Sequence, residues 1–258
     1  MRNAQGQVLR QWPLDVDGTD AVAKDGVARI DYRRNATGRL LEKRLFGQDG
    51  KPFVGSDGVS LRRYTYTKLG QLTSVRYFDG AGRSTLSNEG IGGWRYSYDA
   101  KGNQTERISL NTKGKPTVDS SGIAYYRKAY NGDGRLTQTA YFDTAGAPTY
   151  NKAGIHKTLR TVNAQGENVV LRYVGVDGRP VVGQGGYAEV RNTYDGEGQL
   201  TAKAYLDHKG QPTYSKNGVA KLTRTYNRNG QQLSEAYFDI DGKPVLDKDG
   251  VARWTKAY

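Results

Sequence analysis

The stretch Ala236–Tyr258, AYFDIDGKPVLDKDGVARWTKAY, decides the fold, because it is the most regular copy of a pattern that recurs every 32 residues. Three series of glycines share this period and hold 24 of the 34 glycines. The three series begin at Gly6, Gly18 and Gly26 and end at Gly230, Gly242 and Gly250. Self-similarity at a fixed period indicates a repeat architecture, in which each unit packs on its neighbours.

We treat residues 1–258 as a single repeat array, because no linker and no change in composition divides the chain. Each unit is numbered from the residue before an aromatic–apolar pair. The units start at residues 12, 44, 76, 108, 140, 172 and 204, with partial units at 1–11 and 236–258. Since both partial units are in register with the others, we expect the sequence to be a piece of a longer protein.

Two segments of each unit are rich in β-branched and aromatic residues, which is typical of strands. Turns with Asp at the first place and Gly at the fourth, such as Asp79–Gly82, connect them. Asp caps a type I turn, and Gly accepts the left-handed conformation that closes it, often with a bulge. We predict an all-β fold: tandem 32-residue β-hairpin repeats stacked into an elongated or coiled, β-solenoid-like sheet.

The third position of every unit is large and apolar and is predicted to be core. These residues are Leu14, Phe46, Phe78, Leu110, Phe142, Val174, Leu206 and Phe238. Because neighbouring strand residues point to opposite faces, the tyrosines at the second position should lie on the other face.

A proline recurs in six units, so the short segment around it is predicted to be an edge strand or an extended linker. Two positions later every unit has an apolar residue or Tyr, which suggests an anchor in the core. These residues are Val22, Val54, Leu86, Val118, Tyr150, Val182, Tyr214 and Leu246.

Four nine-residue segments carry a recognisable motif: YDAKGNQTE from Tyr98, YNGDGRLTQ from Tyr130, YDGEGQLTA from Tyr194 and YNRNGQQLS from Tyr226. They resemble the tyrosine-aspartate repeats of bacterial Rhs-type surface and toxin proteins, although the family's units are shorter. The resemblance implies β-hairpins coiled into a shell, in a protein that is secreted or at the bacterial surface. A weaker likeness is to the aromatic-glycine repeats of choline- and glucan-binding modules.

Composition limits the function classes. The 39 Lys and Arg against 26 Asp and Glu give a net charge of +13, which favours an acidic polysaccharide or an acidic protein as partner. Nucleic acid is disfavoured, because the charge is scattered and not gathered into one run. The absence of cysteine excludes disulfides and thiolate chemistry. No apolar run is long enough to span a bilayer, and no signal peptide is visible.

Two columns of recurring side chains are the candidate binding residues. The aromatic column is Tyr77, Tyr141, Tyr173, Tyr205 and Tyr237, and the basic column is Arg63, Arg95, Arg127 and Arg191. With Thr73, Thr105, Thr137 and Thr201, the tyrosines could stack sugar rings; alternatively, they are cross-strand pairs that stabilise a sheet. The arginines could bind uronic acids or phosphates; alternatively, they keep an exposed strand face soluble.

Catalysis and metal binding have little support. His156 and His208 are the only histidines, and neither is accompanied by the Ser or Cys that a catalytic triad needs. Asp15 with Asp17 and Asp239 with Asp241 resemble parts of calcium loops, but Gly26 and Gly250 stand where the bidentate Glu belongs. We therefore predict a non-enzymatic module without cofactor or metal. The alternatives are a structural shell or spacer that presents an effector, and an intracellular interaction scaffold.

Overall fold

The computed structural model describes residues 1–3, 6–13, 22–23 and 26–258, which form sixteen β-strands and no helix. The predicted all-β fold of hairpin repeats is confirmed. Leu14, Asp15, Asp17 and Gly18 lie outside the described residues. With no helix, the described part of the chain has no helical segment that could cross a membrane.

The strands are β1 Arg10–Gln11, β2 Arg29–Arg34, β3 Leu40–Phe46, β4 Leu61–Tyr66, β5 Leu72–Phe78, β6 Gly93–Tyr98, β7 Gln104–Leu110, β8 Tyr125–Tyr130, β9 Leu136–Phe142, β10 Lys157–Val162, β11 Asn168–Val174, β12 Glu189–Tyr194, β13 Leu200–Leu206, β14 Lys221–Tyr226, β15 Gln232–Phe238 and β16 Arg253–Thr255.

The strands belong to two compact units, one of Met1–Tyr126 with Asp143–Gly146 and one of Arg127–Phe142 with Ala147–Tyr258. In the first unit, β1 to β7 pair antiparallel, each with its neighbours in the chain. In the second, β9 to β16 do the same. Short turns favour this arrangement, because antiparallel strands need only a tight connection. The single array over 1–258 stays a prediction.

The turns follow the predicted chemistry. At Asp99, the backbone N–H donates to the Asn103 carbonyl at 2.9 Å, and the Gly102 N–H donates back to the Asp99 carbonyl at 3.0 Å. The carboxylate of Asp99 accepts the Asn103 N–H at 2.8 Å, and the register shifts between Ser97 and Tyr98. The described glycines of the three series all have φ between +71° and +95°. The predicted Asp-capped turn with a closing glycine is confirmed, and a bulge lies beside it here.

The two faces of the sheet carry different residues, as predicted. In the β4–β5 hairpin, Arg62 pairs with Tyr77 and Leu61 pairs with Phe78, so Tyr77 and Phe78 point to opposite sides. We call these sides the tyrosine face and the phenylalanine face. At the predicted core position Leu110, Val174 and Leu206 are buried, whereas the four phenylalanines are half-buried.

The most deeply buried apolar position is the residue that follows each turn of the third glycine series. Val59, Ile91 and Ile123 are 0% exposed there. By contrast, the expected core anchor two residues after the proline is wrong. All eight residues at that position are 39–60% exposed. The reason lies in the short segment, which makes only one bridge, such as Phe238 with Pro244, and then leaves the sheet. The proline segment is thus an extended linker.

Side chains and loops tie each repeat to the one before it. In five repeats, the tyrosine at the position that opens the tyrosine-aspartate motif donates its hydroxyl to a backbone carbonyl 26 residues earlier. The pairs are Tyr66–Leu40, Tyr98–Leu72, Tyr194–Asn168, Tyr226–Leu200 and Tyr258–Gln232, at 2.8–3.2 Å. Turns also contact each other, since the Asn88 N–H donates to the Asp57 carbonyl at 2.9 Å. The motif tyrosine is therefore a structural link between repeats.

Candidate binding surface

A ladder of three tyrosine rings is the clearest feature of the tyrosine face. Tyr173 on β11 and Tyr205 on β13 belong to the predicted aromatic column, and Tyr187 lies just before β12. The Tyr173 and Tyr187 rings are stacked with centroids 5.8 Å apart, and the Tyr187 and Tyr205 centroids are 4.9 Å apart. Such pairs stabilise a sheet, and their remaining ring surface is suited to stacking a flat ligand.

The other members of the aromatic column are also half-buried. The Tyr237 hydroxyl donates to Glu235 at 2.6 Å. Tyr77 pairs with Arg62 across the β4–β5 hairpin. Tyr141 lies near the end of β9, and its backbone N–H donates to the carbonyl of His156 at 3.0 Å. The structure thus places all five predicted tyrosines on strands, with half-buried side chains.

Four hydroxyls of the aromatic column have a raised pKa. Burial raises the pKa of Tyr173 to about 12, and burial followed by the hydrogen bond to Glu235 raises the pKa of Tyr237 to about 12. Burial also raises the pKa of Tyr77 and Tyr205. A protonated phenol can donate a hydrogen bond as well as accept one, which suits a hydroxyl-rich ligand.

The threonines proposed to complete this face are used within the sheet. The Thr137 hydroxyl donates to the Ala129 carbonyl at 3.2 Å, and the Thr201 hydroxyl donates to the Thr193 carbonyl at 3.2 Å. Thr73 shares a hydroxyl–hydroxyl bond with Thr65 at 2.7 Å. These bonds span the two strands of a hairpin, so the hydroxyls stabilise the hairpin at its bulge.

The predicted basic column lies on the phenylalanine face. Arg63 pairs with Arg76, one residue along from the Arg62–Tyr77 pair, and Arg191 pairs with Ala204, next to Val190–Tyr205. The tyrosine and arginine columns are therefore on opposite sides of the sheet. A ligand that lies on one face meets only one of the two columns.

Three of the four basic-column arginines have contacts within the chain. The guanidinium carbon of Arg63 lies 4.3 Å from the Phe78 ring centroid, and Arg127 lies 4.2 Å from the centroid of Phe142. Arg191 donates to Glu189 at 2.7 Å. Arg95 is exposed on β6. Two of these contacts cover half-buried rings and one is an ion pair, so these three side chains are engaged in packing or pairing within the chain.

A different set of arginines accompanies the tyrosines, and the sequence reasoning missed it. The tyrosine face, which is opposite the predicted basic column, carries Arg62, Arg107, Arg160 and Arg224. Arg62 is paired with Asp57, and Arg224 donates to Glu235 at 2.6 Å. Strand alternation alone could have identified this set, because every second residue of a strand points to the tyrosine side.

A pocket of about 340 Å³ opens on the tyrosine face of the first unit. Trp94, Arg107 and Tyr126 form its aromatic wall, with the Arg107 guanidinium carbon 4.1 Å from each ring centroid. Burial and the hydrogen bond to Asp119 raise the pKa of Tyr126 to about 12. Sequence reasoning did not select these three residues. The signal was the break of the repeat at Gly92-Gly93-Trp94, and Gly185-Gly186-Tyr187 marks the tyrosine ladder in the same way.

The remaining candidates, His156 and Asp239, make contacts that are typical of residues with a structural role. His156 is 5% exposed, and its Nδ1 lies 3.0 Å from the Tyr141 carbonyl oxygen. Asp239 Oδ1 accepts the N–H groups of Asp241 and Lys243 at 2.9 and 2.8 Å, which is the turn-capping pattern. Within the described ranges, no group of three or more His, Asp or Glu side chains is arranged to hold a metal ion.

The sequence matches no family model and no curated protein. Among solved structures, it is similar to TcdB2-TccC3-TEV, with 14% identity and a TM-score of 0.43 over 90% of this chain and 11% of that chain. A Photorhabdus luminescens Tc holotoxin pore structure gives 14% identity and a TM-score of 0.43 over 92% of this chain. The chain thus spans about a tenth of the proteins it resembles, and similarity this low assigns no function.

Proposed function

We propose that this chain is a non-catalytic β-repeat module that binds an extended polysaccharide along its tyrosine face. The observation that carries the proposal is the Tyr173–Tyr187–Tyr205 ladder, in which three rings follow one another across adjacent strands. Rings in such a row present their edges and the uncovered parts of their faces to a polymer that crosses the strands. Their hydroxyls add hydrogen-bond donors and acceptors beside those surfaces.

The net charge supports an acidic polymer as the partner that this face attracts. An excess of 13 positive charges raises the local concentration of polyanions and speeds their association. The effect is long-ranged and screened by salt. The basic column of Arg63, Arg95, Arg127 and Arg191 contributes to this field from the opposite face.

Native-gel affinity electrophoresis tests the proposal. Laminarin, dextran and alginate are cast into separate gels, and the retardation of the wild-type chain gives the apparent dissociation constant. We expect at least one polymer to retard the chain, and alginate binding to weaken as salt rises. Tyr187→Ala removes the middle ring and should weaken binding about three- to tenfold, the range for about 0.5–1.5 kcal/mol per aromatic contact.

Tyr214→Ala is the matched control, since Tyr214 is 41% exposed and lies outside the ladder. It should bind like the wild type. If no polymer retards the chain, or if Tyr214→Ala loses as much affinity as Tyr187→Ala, the proposal is wrong.

A structural shell or spacer is the second candidate function. The tyrosine hydroxyl bonds between successive repeats, such as Tyr226 to Leu200 at 2.9 Å, favour it because they stiffen the array. The two functions are compatible, since a stiff array also holds its binding face in a fixed form. A secreted or bacterial-surface setting, implied by the Rhs-like motif, stays a prediction.

A further inference from the structure

The pocket in the first unit occurs where the repeat is interrupted. Gly93 has φ +140°, and a Cβ there would collide with the Val75 carbonyl oxygen, so only glycine fits at this strand contact. The next residue, Trp94, pairs across the sheet with Val75 on one side and Ser109 on the other. Ser109 stands where other repeats have Tyr, and its small buried side chain leaves room for the indole.

Three successive repeats contribute turns to the rim of this pocket. Asp57, Ser87-Asn88-Glu89 and Asp119-Ser120-Ser121 occupy equivalent places in their repeats. The turns are fixed to each other, because the Asn88 side chain donates to the Ser56 carbonyl at 2.7 Å. The rim therefore keeps its carboxylates, hydroxyls and one amide in fixed positions relative to each other.

The charge of the lining differs from that of the chain. The three carboxylates of Asp57, Glu89 and Asp119 face a single lining cation, Arg107. Asp57 is paired with Arg62, and Asp119 accepts the Tyr126 hydroxyl and the Ser121 N–H. The Glu89 carboxylate is exposed at the mouth. A local excess of negative charge repels anionic groups, even in a chain with a net charge of +13.

The chemistry of the walls fits a sugar ring. Trp94 and Tyr126 line the pocket with the ring surface that Arg107 leaves uncovered, and Ser87, Asn88 and the carboxylates supply hydrogen-bond groups for the hydroxyls of a sugar. The volume of about 340 Å³ lies within the range of small-molecule pockets.

We propose that this pocket is a subsite for a non-anionic sugar ring, neutral or amino, and that it discriminates against uronic acids. The inference rests on the proposed polysaccharide function, and it specifies which kind of sugar ring binds in this pocket. A polymer that alternates acidic with neutral or amino sugars would satisfy both the overall charge and this subsite.

Tryptophan fluorescence gives a direct readout, because the chain has only three tryptophans. In a Trp12→Phe, Trp254→Phe background, the signal comes from Trp94 alone. Cellotetraose and a chitosan tetramer should change the Trp94 emission saturably, whereas tetragalacturonate should bind at least tenfold more weakly. Glu89→Gln keeps the shape of an exposed side chain and should reduce this discrimination several-fold. The control Asp241→Asn, an exposed turn residue outside the pocket, should leave the discrimination unchanged.

The outcomes separate this subsite from the wider proposal. If the gels show polysaccharide binding but no oligosaccharide alters Trp94 emission, the subsite is wrong and the tyrosine face stands. If tetragalacturonate binds as well as cellotetraose, or if Glu89→Gln has no effect, the discrimination is wrong. If neither gels nor fluorescence detect a sugar, both proposals fail. Circular dichroism of each variant verifies that the β-structure is retained.

Discussion

At the scale of single residues, the tyrosine that opens the Y-D-x-x-G motif has a definite task. Its ring lies on its own hairpin, and its hydroxyl reaches the backbone of the preceding repeat, as Tyr226 does to Leu200 at 2.9 Å. The same bond recurs along the described chain at a separation of 26 residues. The tyrosine is selected for the length of its side chain as well as for its hydrophobic ring.

Tyr226→Phe removes this hydroxyl and leaves the ring in place. We expect the free energy of unfolding to fall by about 1 kcal/mol, the typical net value of one hydrogen bond. Urea denaturation followed by circular dichroism measures the change. Tyr214→Phe is the control, because no hydrogen bond of its hydroxyl is found among the described residues, and it should change stability little. Equal losses in both variants would contradict the assigned role.

At the scale of elements, the turn is the part on which the hairpins depend. In the turn that joins β8 to β9, the Gly134 N–H donates to the Asn131 carbonyl at 3.0 Å, and the Asn131 side chain accepts the Arg135 N–H at 2.9 Å. Gly134 has φ +77°. A β-branched residue is strained there, because its Cβ meets the backbone in the left-handed region.

Gly134→Val should therefore destabilise the hairpin by about 1–3 kcal/mol. Amide hydrogen exchange of β8 and β9, with the melting temperature, reports the loss. Gly132→Val, two residues earlier in the same turn, is the matched control. Gly132 has no positive φ, and an added Cβ there meets nothing within 4 Å. Unchanged exchange in Gly134→Val would show that the turn is wrongly assigned.

The Asp-capped turns also make stability depend on pH. Backbone N–H donors lower the pKa of Asp79 and Asp207, first those of Arg83 and Gln211, and the Asn103 side chain is the first cause that lowers the pKa of Asp99. A carboxylate with a lowered folded-state pKa stabilises the fold above its unfolded pKa of about 3.9. That contribution is lost as the pH falls through the lower folded-state value.

Chemical denaturation at a series of pH values measures this loss. Below about pH 4, the wild type should lose stability, whereas a triple variant Asp79→Asn, Asp99→Asn, Asp207→Asn should lose less. The chain supplies the precedent, since Asn131 and Asn227 cap the same turn without a titrating group. If the free energy of unfolding falls equally in the two proteins at low pH, these carboxylates do not cause the loss of stability in acid.

Local chemistry was readable from the sequence, and non-local placement was not. Turn glycines and Asp caps depend on a few adjacent residues, so the hairpins were predictable. The exposure of Leu246 was not, because it depends on where the chain goes after a single bridge at Pro244. The face of each arginine was not predicted either: Arg62 pairs with Tyr77, whereas Arg63, one residue along the strand, lies on the opposite side.

At the scale of the whole molecule, the interruptions of the repeat matter more than its regularity. The tyrosine ladder and the pocket both lie where the sequence departs from the repeat, at Gly185 and Tyr187 and at Gly92, Gly93 and Trp94. The basic column, which is the more regular feature, is largely engaged with rings and carboxylates of the chain. The regular basic column thus packs largely within the chain, whereas the ladder and the pocket lie at local departures from the repeat.

The hydroxyl bond across 26 residues also bears on how such a protein can evolve. Each bond joins one repeat only to its immediate predecessor, and the same donor and acceptor positions recur in five pairs of repeats. Duplication or loss of one complete copy within a gene therefore recreates an existing junction and breaks none. Array length can change by whole copies during evolution, while a single altered copy acquires a new specificity.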